Sequence, residues 1–179
     1  GDLGAAYLGL QLFEREKQLY LDNPDIKPNL EGQNYLIGRQ LKPEARADMI
    51  TAFAKKDLVP TSMIDISDGL ASELFHICKE SGVGAMVEES GIPLHPDTEA
   101  QALKFQLDPT TCALSGGEDY ELLFTVAPED VEKVRFLPEI YIMGEITEAS
   151  EGVMLHTKGG NRHELVAQGW RHFNPNDSK

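Results

Sequence analysis

Met63-Ile64-Asp65-Ile66-Ser67-Asp68-Gly69-Leu70 sets the local architecture of this chain. Its apolar opening follows a Pro60-Thr61-Ser62 turn and reads as a short buried strand. Leu70, Leu74, Ile77 and Cys78 then recur at helical spacing, so a strand passes directly into a helix. Two carboxylates and a hydroxyl sit at the junction. A helix start offers unpaired N–H groups and a partial positive charge, so a single acid or serine there can serve simply as a cap. One cap does not account for two acids three residues apart. Carboxylates held ~5 Å apart repel by ~3 kcal/mol at an effective dielectric of about 20, several times what the helix dipole returns. A bound cation would relieve that repulsion. Magnesium is commonly held by one or two carboxylates plus substrate phosphates, and a helix start that includes a glycine also suits phosphate. The residues alone leave two readings standing, a metal–phosphate site and a decorated cap.

Other loop chemistries fail on the letters. A calcium-binding loop begun at Asp65 would need an acid at its twelfth position, which is His76, and Ile66 and Ser67 break the required alternation. No G-x-x-x-x-G-K-[ST] occurs, and Gly82-Val83-Gly84-Ala85-Met86-Val87 lacks the third glycine of a dinucleotide fingerprint and runs into a strand. A nucleotide, if bound, is held without either familiar glycine loop.

At 179 residues, 41% of them hydrophobic, the chain suits one globular domain with a sizeable core. A net charge of -14, from 30 acids against 16 bases, opposes electrostatic binding to nucleic acid or to an anionic membrane. An acidic protein that binds phosphates has to recruit metal ions. Cys78 and Cys112 form no C-x-x-C pair and read as buried thiols. No apolar run approaches the ~20 residues of a membrane span and no signal peptide opens the chain, so a cytoplasmic location is expected. The chain opens on Gly1, and further sequence upstream is expected.

Working outward, Ala5 to Tyr20 reads as a helix with Leu8, Leu12 and Phe13 as its apolar stripe. After Tyr35 to Leu41, the Lys42-Pro43 pair predicts a helix from Glu44 to Lys56. Arg39, Lys42 and Arg46 read as a solvated helix rim, with a phosphate contact as the alternative. Ser81-Gly82 stops the central helix, Val83 to Glu88 is a strand, and Asp97 is expected to cap a short helix through Leu103. Pro109 to Leu114 reads as a helical turn or two, Pro128 to Val134 as a helix, and Ile140 to Ile146 and Val153 to Thr157 as strands. Ser115-Gly116-Gly117-Glu118-Asp119-Tyr120-Glu121 runs into an apolar strand through Val126. Its paired glycines mark a tight turn, while Glu118 and Asp119 beside an aromatic offer a site for a flat cation. Trp170, in the closing Gly169-Trp170-Arg171-His172-Phe173, is either part of a docked tail or a stacking surface.

Taken together, the Asp-x-Ser-Asp-Gly-Leu core at 65–70, the Ser-Gly-Gly-Glu-Asp-Tyr-Glu-Leu run at 115–122 and the Gly-Trp-Arg-His-Phe close resemble the thiamine-monophosphate kinase family. So do the opening Gly1-Asp2-Leu3-Gly4 and the run from Arg39 to Arg46. The first motif alone would indicate only the wider superfamily that includes aminoimidazole-ribonucleotide synthetase and selenophosphate synthetase. The resemblance implies an α/β (α+β) fold, a mixed β-sheet flanked by helices like the aminoimidazole-ribonucleotide synthetase carboxy-terminal domain. It implies that residues 1–179 are the single carboxy-terminal domain of a longer enzyme, a homodimer whose amino-terminal domain carries the dimer interface and much of the ATP and magnesium site. The implied reaction is Mg2+-dependent transfer of the γ-phosphoryl group of ATP directly to thiamine monophosphate. By motif position, Asp65 and Asp68 would hold the metal, Ser67 would contact ATP, and Glu118 and Trp170 would contact thiamine monophosphate, with Asp119 a weaker contact. Another ATP-dependent enzyme of the superfamily and a non-catalytic binding module are the alternatives.

Overall fold

In the computed structural model, which describes residues 2–166, the strand-to-helix passage is in place as β1 (Ser62–Asp65) and α4 (Leu70–Ser81). Leu70, Leu74, Ile77 and Cys78 are all buried on the inner face of α4, and Gly82 ends the helix in the left-handed conformation at φ 66°. The chain before this passage forms α1 (Ala5–Asp22), α2 (Asn34–Leu41) and α3 (Ala47–Lys55). After it come β2 (Val83–Glu88), α5 (Pro96–Lys104), α6 (Pro109–Ser115), β3 (Leu122–Thr125), α7 (Val131–Val134), β4 (Gly144–Glu148), β5 (Val153–His156) and β6 (Arg162–Glu164).

The strands make two sheets. β1 pairs antiparallel with β3, Asp65 lying opposite Leu122. The second sheet is mixed, in the order β4-β2-β5-β6, with β2 and β5 parallel and the outer pairs antiparallel. Leu70, Leu74, Ile77 and Cys78 pack with Ala85, Val87, Leu123, Val153 and Leu155 into the main core, which joins both sheets to α4. A second core holds α1, α2, α5 and α6 together through Leu8, Leu12, Leu36, Ala102 and Cys112. The expected mixed sheet flanked by helices is therefore what the sequence forms. Among the described residues no helix is long and apolar enough to cross a membrane.

Four boundaries or roles differ from the sequence reading. The helix expected from Glu44 begins at Ala47, and Pro43 lies outside it. The strand expected over Ile140–Ile146 begins at Gly144. The cap of α5 is His95, whose Nδ1 accepts from the Asp97 amide at 3.2 Å, so Asp97 is the donor and not the cap. The supposed solvated rim of Arg39, Lys42 and Arg46 is exposed only at Lys42 (83%), while the Arg39 and Arg46 side chains are 20% and 9% exposed.

The buried arginines have distant partners. Arg39 Nη2 donates to Glu121 Oε1 at 3.0 Å, and Arg46 takes the other oxygen of the same carboxylate while also pairing with Asp48 and Glu139. Arg46 lies just before α3, and Glu139, at φ 60°, lies in the segment before β4, so these contacts sit beside both late starts. Arg39 also donates to the carbonyl of Asp119 at 3.0 Å. Asp119 and Asp2 complete this polar seam. Asp119 Oδ2 accepts from the Gly4 amide at 2.9 Å, and Asp2 accepts from the Tyr35 hydroxyl, the His95 amide and the Thr98 hydroxyl at 2.7, 2.6 and 3.3 Å. Residues far apart in sequence are thus laced behind the 118–121 turn.

Two outcomes follow from the seam. Glu121→Ala takes from Arg39 its carboxylate and leaves Arg46 only Asp48 and Glu139, and is expected to lower unfolding stability by about 3 kcal/mol in a urea titration, since removing one partner of a buried pair leaves charge poorly compensated; an unchanged midpoint contradicts the pairing. Burial pushes the Asp119 carboxyl up to about 7, opposed by the Gly4 amide and Arg39 and reinforced by Asp2. The folded state then binds the proton more tightly than the unfolded chain. The stability this supplies is complete below the ordinary carboxyl value of 3.8 and is lost as pH rises through about 7. Relative to Asp119→Asn, the natural protein should lose up to ~1.4 kcal/mol per pH unit across that window and nothing further above it. A constant difference between the two would contradict that assignment.

Candidate active site

At the carboxyl end of β1 two loops cross. The Ile66 amide donates to the Glu121 carbonyl at 2.8 Å, the Tyr120 amide to the Ile66 carbonyl at 2.8 Å, and the Glu118 amide to the Ser67 carbonyl at 2.7 Å. Segments 66–67 and 118–121 are thereby stitched together. Two glycines make the crossing possible. Gly69, at φ 115°, lies where a Cβ would sit 2.7 Å from the Leu114 carbonyl oxygen, and Gly117, at φ 70°, where it would sit 2.5 Å from that of Ser67. Any side chain at either position is excluded by contact and by backbone conformation.

Behind the crossing stands Glu73, in the first turn of α4 and only 2% exposed. Its Oε1 accepts from the Asp68 amide at 2.9 Å, the Ser67 amide at 3.3 Å and the Ser67 hydroxyl at 3.2 Å. This settles the choice left open by the sequence about the cap. The N-terminal cap position of α4 is Gly69, with no side-chain hydrogen bond, so neither Asp65 nor Asp68 is a helix cap. The loop amides that could have gripped a phosphate are spent on Glu73. Sequence alone did not single out Glu73. Only its burial in the structure, among the equally buried Leu70, Ala71, Ser72 and Leu74, marks it out.

With that loop held from below, Asp65 and Asp68 are exposed, and among the described residues neither carboxylate has a hydrogen-bond or ion-pair partner. Glu118 is exposed beside them and accepts from the Tyr120 hydroxyl at 2.8 Å. Tyr120 lies within electrostatic reach of these carboxylates: its phenol is pushed up by its bond to Glu118, by the charge of Glu118, by burial, and further by Asp65 and Asp68. Ser67 is half-buried at the edge of this face. Asp119 points the other way, into the protein. Trp170 lies outside the described residues. The structure therefore brings Asp65, Ser67, Asp68 and Glu118 together and sets Asp119 apart.

The chemistry of this face is that of hard anionic oxygens. Asp65 and Asp68 are suited to a cation such as Mg2+, which accepts one or two carboxylates and fills its remaining positions with phosphate oxygens and water. Among the described residues no group of three or more His, Cys, Asp or Glu side chains could hold a metal by itself. Cys78 and Cys112 are both free and buried, and burial pushes the Cys112 thiol up to about 11, which removes it from nucleophilic roles.

No family model matches the chain. Against curated proteins it is 33% identical over 173 residues to the thiamine-monophosphate kinase of Aquifex aeolicus, a match that covers 97% of this chain and 50% of that protein. Among solved structures it superposes on AaThiL complexed with AMPPCP and TMP with a TM-score of 0.70 and 31% identity, covering 97% of this chain and 49% of that one. Escherichia coli HypE, a hydrogenase maturation protein, shares the fold at a TM-score of 0.63 and 18% identity, over 95% of this chain and 48% of its own. The chain spans about half the length of the relatives it matches. With its motifs at the loop crossing and this likeness along nearly its whole length, the chain is a homologue of the thiamine-monophosphate kinases, built on the fold they share with HypE.

Proposed function

We propose that this chain supplies the carboxy-terminal half of an enzyme that transfers the γ-phosphoryl group of ATP directly to thiamine monophosphate, in the presence of Mg2+, to give thiamine diphosphate. The observation that carries the reading is the open face at the loop crossing, where Asp65, Asp68 and Glu118 have no cationic partner among the described residues, while Glu73, Asp119 and Glu121 behind them each accept from the protein. The likeness to AaThiL, solved in complex with AMPPCP and TMP, supports it.

Donor and acceptor are both anions, and the acceptor phosphate is already ionised near neutral pH. The protein therefore needs alignment and charge neutralisation more than a base or a nucleophile. Its own cations nearby are committed, Arg39 and Arg46 to Glu121. Asp65 and Asp68 would hold Mg2+, which when bound would supply positive charge to the phosphates, its remaining positions filled by groups of the amino-terminal half, phosphate oxygens and water. Ser67 borders the nucleotide. With its proton engaged by Glu73, its oxygen is free to accept, which suits a ribose hydroxyl or a metal-bound water better than a bare phosphate oxygen. Glu118, steadied by Tyr120, faces the cationic thiazolium, with Trp170 as its stacking partner. The complete protein acts as a cytoplasmic homodimer in this reading.

The test uses the full-length protein with thiamine monophosphate, ATP and varied Mg2+. Asp65→Asn and Asp68→Asn are each expected to raise the Mg2+ concentration for half-maximal rate at least about tenfold and to lower kcat about a hundredfold, as loss of a ligand to a catalytic cation does. Unaltered kinetics in both variants, with the fold retained, would leave a binding module as the better account.

A further inference from the structure

Glu118 and Tyr120 occupy left-handed backbone, at φ 61° and 53°. That conformation costs a residue with a side chain of order 1 kcal/mol and persists only where its surroundings over-determine it. Two of the restraints are the amide bonds of Glu118 and Tyr120 to the Ser67 and Ile66 carbonyls. The third is the residue between them. Asp119 is 2% exposed and reaches back to the start of α1, where its Oδ2 takes the Gly4 amide and the Ala6 amide lies within electrostatic reach. The first turn of α1 is a rigid base, with Ala5, Ala6 and Leu8 fully buried. Arg39 holds the Asp119 carbonyl from the other side, and Asp2 is the remaining charged group that acts on this carboxyl. Among the described residues Asp119 Oδ1 is buried without a hydrogen-bond partner.

From this geometry we infer that Asp119 is a positioning residue for the acceptor substrate: it pins the 118–120 turn to the start of α1 and so aims Glu118, without touching the substrate itself. The inference rests on Glu118 as the thiamine monophosphate contact. Ser67 and Asp68 are also held by Glu73, and Asp65 by its place in β1 opposite Leu122, so loss of the Asp119 anchor should disturb the acceptor side more than the nucleotide side. The bond it makes also says which replacement should work. Asparagine keeps an oxygen for the Gly4 amide and places its NH2 where Oδ1 has no partner, whereas alanine keeps nothing.

The experiment compares Asp119→Ala, Asp119→Asn, Glu118→Ala and the double variant Glu118→Ala/Asp119→Ala in the full-length protein, by steady-state kinetics and by hydrogen exchange at the Glu118 and Tyr120 amides. Asp119→Ala should raise KM for thiamine monophosphate about tenfold while KM for ATP moves less than about twofold, and Asp119→Asn should stay within about threefold of the natural protein. The double variant should be no worse than Glu118→Ala, since a residue that acts through another adds nothing once that other is gone. The two amides should exchange at least about tenfold faster in Asp119→Ala than in Asp119→Asn. Asp119→Ser, too short to reach Gly4, is read in the same way if the alanine variant does not fold. A full additional loss in the double variant, equal impairment by Asn and Ala, equal damage to both KM values, or unchanged amide exchange would each overturn the assignment. If the natural protein shows no turnover with thiamine monophosphate, the proposed function fails, and amide exchange still decides what Asp119 does.

Discussion

The crossing of two backbone segments at hydrogen-bond distance is the constraint from which the rest follows. Segments 66–67 and 118–121 approach closely because Gly117 presents no side chain to Ser67 and Asp68, and Gly69 presents none to Leu114 and Ser115 at the end of α6. Once they cross, acidic side chains are forced into one small region, and the fold sorts them by what lies behind. Glu73, Asp119 and Glu121 turn inward and are matched by amides, a hydroxyl and guanidinium groups. Asp65, Asp68 and Glu118 turn outward and are left for solvent or ligand. The sorting is costly, because charge taken out of water must be met by well-placed partners and any lapse is expensive. That cost explains why so many of the polar contacts between distant parts of the chain converge on one turn.

This arrangement bears on how an acidic protein can manage phosphates. Its two nearby arginines are structural, spent on Glu121. What remains at the surface is a set of hard oxygens with no counter-charge, an arrangement that attracts a divalent ion and, through it, a phosphate chain. The net charge of -14 is then compatible with a phosphate-handling role where a binding mode based on basic side chains would not be.

Much of this could be read from the letters, and the failures have a pattern. The passage from β1 to α4, the Gly82 stop, the extent of β2 and the apolar face of α4 follow from local periodicity and turn chemistry, which the fold does not override. The outward acids at 65 and 68 were legible because their mutual repulsion needs an explanation. Missed were the features that depend on partners 75 or more residues away: Arg46 on Glu121 and Asp119 on Gly4, the first of them beside the late start of α3. Arg39 and Arg46 looked like a solvated rim since helical spacing carries no record of a distant carboxylate. Glu73 was missed for a different reason: an acid in a first turn is ordinary, and only its burial marks it out.

The central claim is that the outward acids are free because they serve ligands. A structure of the full-length protein with Mg2+ and a non-transferable ATP analogue tests it most directly, by the distance from the Asp65 and Asp68 carboxylate oxygens to the nearest ion. Inner-sphere contacts of about 2.0–2.1 Å are predicted for these oxygens. Both side chains turned to bulk solvent, with the ion and the phosphates held elsewhere, would contradict the account.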